Sequence, residues 1–369
     1  MDFICRFPSR GQAPKFCARR YKGNYEMAIQ CLEEASKLYS QHDGLSLRHA
    51  RTLTYLGNAY RLSGIYGKAG AVLEQSLSIY QKHPKRAHEI AQPLGVLSTV
   101  YRDMGEYTKA IQMMEDSLKL FKDHETFPVW WIGIRLCLGS TYTSVGEYTK
   151  GKDILLDCQA TLKKLYSDHH ALYPWIQLYL GDAYRHLGDL DKAKHHLEDS
   201  ITHFKQLFSE HHAGYAIALS RLGALYVDLH QWELARTTLH KSIELMEHLF
   251  GKGHVQTGDP LHQLGRVYLA EKDDGRAGQS LHQSLECYQQ MNHTDMYRPL
   301  ETLGNLHYER AEEAKAKGDT VLALQETQRA KEYLTRALDI IQTRLTPASE
   351  HLKRLKAKFK GMIGEDGGR

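Results

Sequence analysis

The sequence predicts an all-α fold: a right-handed solenoid of helix-turn-helix repeats closed by a C-terminal capping helix. Three observations carry this. The segment Leu56-Gly57-Asn58-Ala59-Tyr60 returns as six further copies led by Leu97, Leu138, Leu180, Leu222, Leu264 and Leu303, a nearly constant period that shortens only at the last step. Thirteen residues after each of the first six leucines a small residue opens a second pattern, as in Ala69, Leu73, Ser76 and Ala193, Leu197, Ser200. Between the two patterns stand Gly64, Gly105, Gly146 and Gly188, each eight residues after its leucine.

The first pattern reads as a helix whose large residues (Leu56, Tyr60) fill space while Gly57 admits a neighbour. The second steps by four and three, so its residues share one helical face. The glycine between them supplies the left-handed conformation that ends a helix. His230 and Lys272 stand at that place in later copies, which predicts either a backbone penalty of about 1–2 kcal/mol or a looser turn.

The last copy is enlarged. Gly318 lies fifteen residues after Leu303 where the earlier glycines lie eight after theirs. Ala323 to Ala337 spans fourteen where earlier copies have seven, so each helix gains two turns. Thr346-Pro347 then reads as the N-cap and first residue of a cap helix that carries Leu352, Leu355, Phe359 and Met362. At the other end, Gly23 to Ala35 reads as a second helix whose first helix is missing. Lys15, Phe16 and Arg19 occupy the anchor places there, so residues 1–22 read as an irregular or truncated basic segment.

Composition removes several classes. At 42% hydrophobic the 369-residue chain is not disordered, and it has no apolar run of about 18 residues to span a bilayer. Six scattered cysteines without CxxC spacing argue against a disulfide framework, and Met1–Lys22 lacks an apolar signal core. A net charge of +4 does not favour nucleic acid. The expectation is a cytoplasmic protein with no membrane span.

The repeat resembles the tetratricopeptide repeat, over residues 23–343. Its long period is similar to the subclass of kinesin light chains and to the repeat arms of signalling ATPases. The resemblance divides the chain into segment 1–22, a solenoid over 23–343 (half repeat 23–41, six repeats, an enlarged repeat about 295–343), a cap at 344–362 and a disordered tail at 363–369. His170, His212, His254 and His293 resemble the histidines that open repeats in that subclass.

No catalytic constellation is present: the sequence has no GxSxG, GxxxxGK[ST] or HExxH. Gly251-Lys252-Gly253 reads as a loop. The 22 histidines recur at repeat positions (His42, His83 and His124; then His170, His212 and His254), which predicts loop or cap contacts rather than a metal site. Cys158 falls on the small core position. No cofactor and no metal are expected, and no enzymatic activity.

What the resemblance implies is a binding surface on the first helices, at two residues before the anchor leucine and two, five and six after it, with the residues five before it read alongside. The candidates form a graded peptide-binding groove: Arg51, Thr54, Asn58, Arg61, Thr99 and Arg102; an apolar centre of Leu136, Trp175 and Leu178 beside Asp182 and Arg185; then Arg266 and Asn305. Asn58 and Asn305 would hold an extended peptide backbone, and the arginines carboxylates. The alternatives are solvated arginines paired with Asp103 or Glu106, and a Trp175 that is core. Trp130 and Trp131 read as packing residues and Trp232 as core. The implied function is a non-catalytic protein-protein interaction scaffold for a partner peptide or segment with an apolar or aromatic anchor and acidic flanks. The alternative is a regulatory or sensor arm of a larger signalling ATPase or kinase.

Overall fold

The computed structural model describes residues 25–42, 45–83, 89–120, 128–166 and 168–363. The expectations for segment 1–22, His124 and most of the tail lie outside these residues. Among them the chain forms α-helices, short 3₁₀ turns and no strand, an all-α solenoid of helix pairs. No described helix is long and apolar enough to cross a membrane.

First (A) helices are α2 (Leu47–Leu62), α4 (Ala91–Asp103), α6 (Pro128–Ser144), α8 (Tyr173–His186), α10 (Ala213–Asp228), α12 (Gly258–Ala270) and α14 (Tyr297–Ala316). Second (B) helices are α1 (Tyr25–His42), α3 (Tyr66–Gln81), α5 (Tyr107–Leu120), α7 (Tyr148–Leu165), α9 (Leu190–Leu207), α11 (Trp232–Phe250), α13 (Asp274–Gln289) and α15 (Thr320–Arg344). The cap is α16 (Glu350–Ile363). The chain gathers into two compact units, divided within α10 between Ala218 and Leu219, with Ser144–Glu147 grouped in the second.

Each pair is closed by two contacts that the repeat encodes. The anchor glycine lies against the large residue of the B helix: a Cβ on Gly181 would stand 2.6 Å from Leu197 Cγ, and one on Gly265 2.7 Å from Leu281 Cγ. Where Ser98 replaces the glycine, the facing residue is the unbranched Met114, also fully buried, which bends where leucine cannot. Three residues further on, a buried serine donates to an A-helix carbonyl: Ser76 to Ala50 (2.7 Å), Ser117 to Ala91 (2.9 Å), Ser200 to Pro174 (2.8 Å) and Ser284 to Gly258 (2.6 Å). Cys158 takes that place in α7, its sulfur 3.9 Å from the Ile132 carbonyl, so it is structural.

Neighbouring pairs are joined through the anchor tyrosines. The hydroxyls of Tyr60, Tyr101 and Tyr142 donate to Glu33, Glu74 (3.3 Å) and Glu115 (2.7 Å) on the preceding B helix. Lys109 and Lys150 lie over the Tyr101 and Tyr142 rings at 3.7 and 3.8 Å, a cation–π contact repeated at longer range by Lys68 and Lys192.

The turns between A and B helices are all tight. Gly64, Gly105, Gly146, Gly188 and Gly318 have φ between 75° and 87°, and after Gly64, Gly105, Gly188 and Gly318 the next amide bonds back to the helix, as Ile65 does to the Tyr60 carbonyl (2.8 Å). The looser turns allowed for at His230 and Lys272 do not occur. Both residues take the same left-handed backbone (φ 57° and 60°), and Gln231 and Asp273 keep the equivalent bond to Tyr226 and Tyr268 at 2.9 Å. One retained hydrogen bond per turn offsets the steric cost of a Cβ there.

The histidines that open repeats four to seven are caps. Nδ1 of His170, His212, His254 and His293 accepts the amide of the residue two further on, at 3.0–3.3 Å. Each ring lies on an aromatic side chain ending the previous B helix: Tyr166, Phe208, Phe250 and Tyr288. Acceptance at Nδ1 requires the neutral imidazole.

The enlarged repeat grows at its turn end. α14 has 20 residues and α15 has 25. A Cβ on Gly304 would meet Leu334 at 2.7 Å and the Ala330 carbonyl, so Ala330 and Leu334 stand where Ala69 and Leu73 stand in the first pair. Buried Ala311, Ala314 and Ala323 let the two extra turns pack closely. The cap differs from expectation in its start. Thr346-Pro347 forms a turn, and Ser349, fully buried, accepts from the Leu352 amide at 3.4 Å as the true N-cap. Leu352 and Leu355 are buried beneath α16 as anticipated. Trp130 is core, whereas Trp232 is only half-buried, resting on the cluster of Val227, Leu239 and Tyr268.

Substitutions at two kinds of position test this packing by urea unfolding of the full chain. Gly181→Ala should destabilise by about 1–3 kcal/mol, because Leu197 has no room to give way. His230→Gly and Lys272→Gly should each stabilise by up to about 1 kcal/mol, by relieving the left-handed Cβ.

Candidate functional site on the A helices

Of the thirteen predicted groove positions nine are buried, and Arg51, Arg102, Arg266 and Asn305 are half-buried. In the first unit, the Thr54 hydroxyl lies 2.9 Å from both the Ala50 carbonyl and the Ser76 hydroxyl, and the Thr99 hydroxyl donates to Val96. Leu136 and Leu178 are at most 1% exposed, and Trp175 stands edge-on to Phe204 with ring centroids 4.9 Å apart. The expected apolar groove centre is therefore core. The reason is the fold's own spacing: positions two before the anchor face the neighbouring pair, as a Cβ on Gly95 would meet Ile134 at 2.8 Å.

The polar candidates form ladders between successive A helices. Arg51 pairs with Glu89 at 3.0 Å. Asn58 accepts from Arg61 Nε (3.3 Å), and Arg61 Nη1 reaches Asp103 at 2.8 Å. Arg102 binds the same carboxylate through Nε (2.9 Å) and Nη2 (2.6 Å), and its Nη1 stands 3.5 Å from the Ser140 hydroxyl. Burial alone would raise the Asp103 carboxyl, but Arg102 and Arg61 beside it hold it below the ordinary carboxylate range. Two guanidiniums thus share one carboxylate, and buried Arg61 Nη2 has no hydrogen-bond partner. Arg185, by contrast, is matched by Asp182 at 3.1 Å. Arg61 and Arg102 are paired with Asp103 as the simpler alternative held, yet Arg61 and Arg185 are buried and Arg102 half-buried rather than solvated.

In the second unit Asp259 accepts from Ser220 (2.9 Å) and Arg221 (2.6 Å), and Arg266 bonds to Gln263 (2.8 Å) and Asp228 (3.1 Å). Thr302 donates to the Arg298 carbonyl, so its oxygen accepts from His262 Nε2 at 2.9 Å. That tautomer leaves His262 Nδ1 as a bare acceptor, buried and without a partner, as is Asn305 Oδ1. Burial and the nearby Arg266 push the His262 pKa down to about 3. Glu301 receives Arg354 of α16 at 2.6 Å. Once the extension of the last pair is discounted, this contact has the spacing of Ser220 to Asp259, so α16 occupies the place of a next A helix.

Comparison with known families decides what these layers are. A tetratricopeptide repeat model matches residues 17–82, 133–206 and 214–290, and a second tetratricopeptide repeat model matches 91–124. The chain belongs to the tetratricopeptide repeat family. No curated relative matches by sequence. Among solved structures, the Rap conjugation gene regulator of plasmid pLS20, in complex with the Phr* peptide, is similar at 15% identity. That match has a TM-score of 0.58 and covers 84% of this chain and 79% of that one. A Rap protein complexed with competence and sporulation factor matches at 12% identity and TM-score 0.52, covering 87% and 89%. A putative kinesin light chain with TPR-like repeats from Podosopora anserina matches at 17% identity over 56% of this chain and 97% of its own, with a TM-score of 0.39.

In these tetratricopeptide layers, sequence reasoning overlooked Glu89, Asp228 and Asp259 as partners of the arginines. Their signal was available: each stands 38 residues from its arginine, close to one repeat period. Among the described residues no group of three or more His, Cys, Asp or Glu side chains is placed to hold a metal ion.

The His262 shift has a testable sign. Its folded pKa lies below the unfolded value, so between pH 6.5 and about 3 the folded state binds fewer protons, and stability falls as pH is lowered. Urea unfolding at pH 5.5 should show about 1 kcal/mol less stability from this residue than at pH 6.5. His262→Gln should lose that part of the dependence; His170 and His196, lowered by burial, retain theirs.

Proposed function

We propose that the chain is a non-catalytic scaffold that binds a segment of a partner protein along the A helices of its first unit. The ligand carboxylate would be received beside Arg61 and Arg102. The observation that carries this reading is the imbalance at Asp103: two guanidiniums, one carboxylate and one buried N–H left unmatched. Arginine presents paired donors that a second carboxylate can bridge, and a charge-assisted bond of this kind contributes about 1.5–3 kcal/mol. The Rap structures support the reading at the level of fold, since one is in complex with the Phr* peptide and the other with competence and sporulation factor.

The apolar anchor of the ligand finds no pocket at Leu136, Leu178 or Trp175, because these are core. The proposed ligand is therefore recognised chiefly by its acidic groups, with Asn58 and Thr99 lying in the same layers. A cytoplasmic setting is part of the same proposal.

Charge reversal at Arg61 would bury a second acid against Asp103 and unfold the layer, so it is the wrong test. Arg102→Gln removes the surplus charge while Arg61 keeps Asp103 paired. Peptides selected from a random library on the full chain should be enriched in Asp or Glu. Their affinity should fall at least tenfold on Arg102→Gln, with the helical circular dichroism unchanged. Selected peptides without acid enrichment, or unchanged affinity in the variant, would reject this function.

A further inference from the structure

The added part of the last hairpin carries a surface of its own. Ala330 stands where Ala69 stands in the first pair, so an ordinary B helix would begin at Thr327. The residues of α15 before it belong to the extension, whose inner face is closed by the buried Ala311, Ala314 and Ala323. Its outer face is apolar: Val321 is 67%, Leu322 43% and Leu324 73% exposed. Elsewhere among the described residues, exposed large apolar side chains occur along the chain singly or as one adjacent pair, which is ordinary. Here three fall within one turn, and Thr320–Gln325 carries no charge to break the patch.

Charged groups frame the patch at both ends. Steps of three and four carry the face from Val321 and Leu324 to Gln328, Lys331 and Glu332, all exposed. Before the patch stand Lys317 and Asp319. Asp319 caps α15 by accepting the Leu322 amide at 3.0 Å, and Glu332 accepts from the Gln328 side chain at 3.0 Å. Among the described residues neither carboxylate has an ion pair, nor has Lys331. Lys317 has one loose contact, with exposed Glu313 at 3.9 Å. Read along the chain, each end of the patch therefore carries one cation and then one acid.

We propose that this face joins two copies of the chain in a two-fold dimer, with α15 packed antiparallel against α15. Reversing the chain direction turns the sign order into complementarity. A two-fold axis beside Leu324 and Gln325 brings the apolar side chains of both copies to the centre. It sets Lys317 opposite Glu332 of the second copy and Asp319 next to Lys331 of the second copy, at both ends alike. A parallel, in-register pairing would set each of these charges against its own sign. Exposed ion pairs add little affinity, so they fix register and direction while the apolar centre drives association. A contact of this size is small, and the dimer forms reversibly at micromolar concentrations. The face is separate from the Arg102 layer, so it stands or falls independently of the proposed function.

Sedimentation velocity of the full chain tests this. From about 1 to 200 μM it should show a monomer–dimer equilibrium and nothing larger. Leu324→Glu should weaken the dimer at least tenfold, with the helical circular dichroism unchanged because the side chain is exposed. The register has a separate test in charge exchange across the axis. Lys317→Glu and Glu332→Lys should each weaken the dimer by about threefold, and the two together should restore it. A chain that stays monomeric at about 200 μM leaves the face to some other partner and overturns the proposal. Assemblies larger than a dimer, a dimer untouched by Leu324→Glu, or charge variants that fail to rescue one another would overturn it equally.

Discussion

The approach of the anchor glycine to the large B-helix residue sets the spacing on which the rest of this chain depends. With a would-be Cβ only 2.6 Å from Leu197 Cγ at Gly181, the two helices of a pair meet at backbone distance, and opposite a leucine no other residue type permits that. The same closeness brings Ser76, Ser117, Ser200 and Ser284 of the B helices within reach of an A-helix carbonyl, so each buried hydroxyl is satisfied without water. Ser98 with Met114 shows the constraint from the other side: when the glycine is lost, the facing residue becomes one that can bend.

Such close pairing leaves little of each A helix open. Positions that a looser solenoid would present to a ligand are instead consumed by neighbouring layers, and polar side chains there must find partners across one repeat. Arg61 with Asp103 and Arg221 with Asp259 are the outcome. Breaking such a buried pair leaves an isolated charge, which costs more than the pair contributes. Where the ladder does not balance, at Arg61 and Arg102, the layer holds a charge that its own residues leave uncompensated, and that is where the proposed ligand would bind.

The helix pairs, the enlarged last hairpin and the capping helix were all legible in the sequence, because each is written as spacing: a near-constant interval between anchor leucines, seven extra residues per helix, apolar residues at helical steps. The capping role of His170, His212 and His254 was legible for the same reason. The groove was not. Burial at Leu136, Leu178 and Trp175 depends on how closely the next pair approaches, which a one-chain pattern leaves open. The retained turn at His230 and Lys272 was also hidden, since a left-handed residue is a local cost that neighbouring hydrogen bonds decide. Ser349 replaced Thr346 as the cap because both residues have the right chemistry and only packing beneath Leu352 and Leu355 chooses between them.

The proposed function rests on one contact, a partner's carboxylate against the surplus guanidinium in the Asp103 layer. A double-mutant cycle between Arg102→Gln and removal of the acidic residue of a selected peptide measures that contact alone. The expected coupling between the two changes is about 1.5 kcal/mol or more. Additive effects, with no coupling, would show that the carboxylate is received elsewhere and would contradict the assignment of the site.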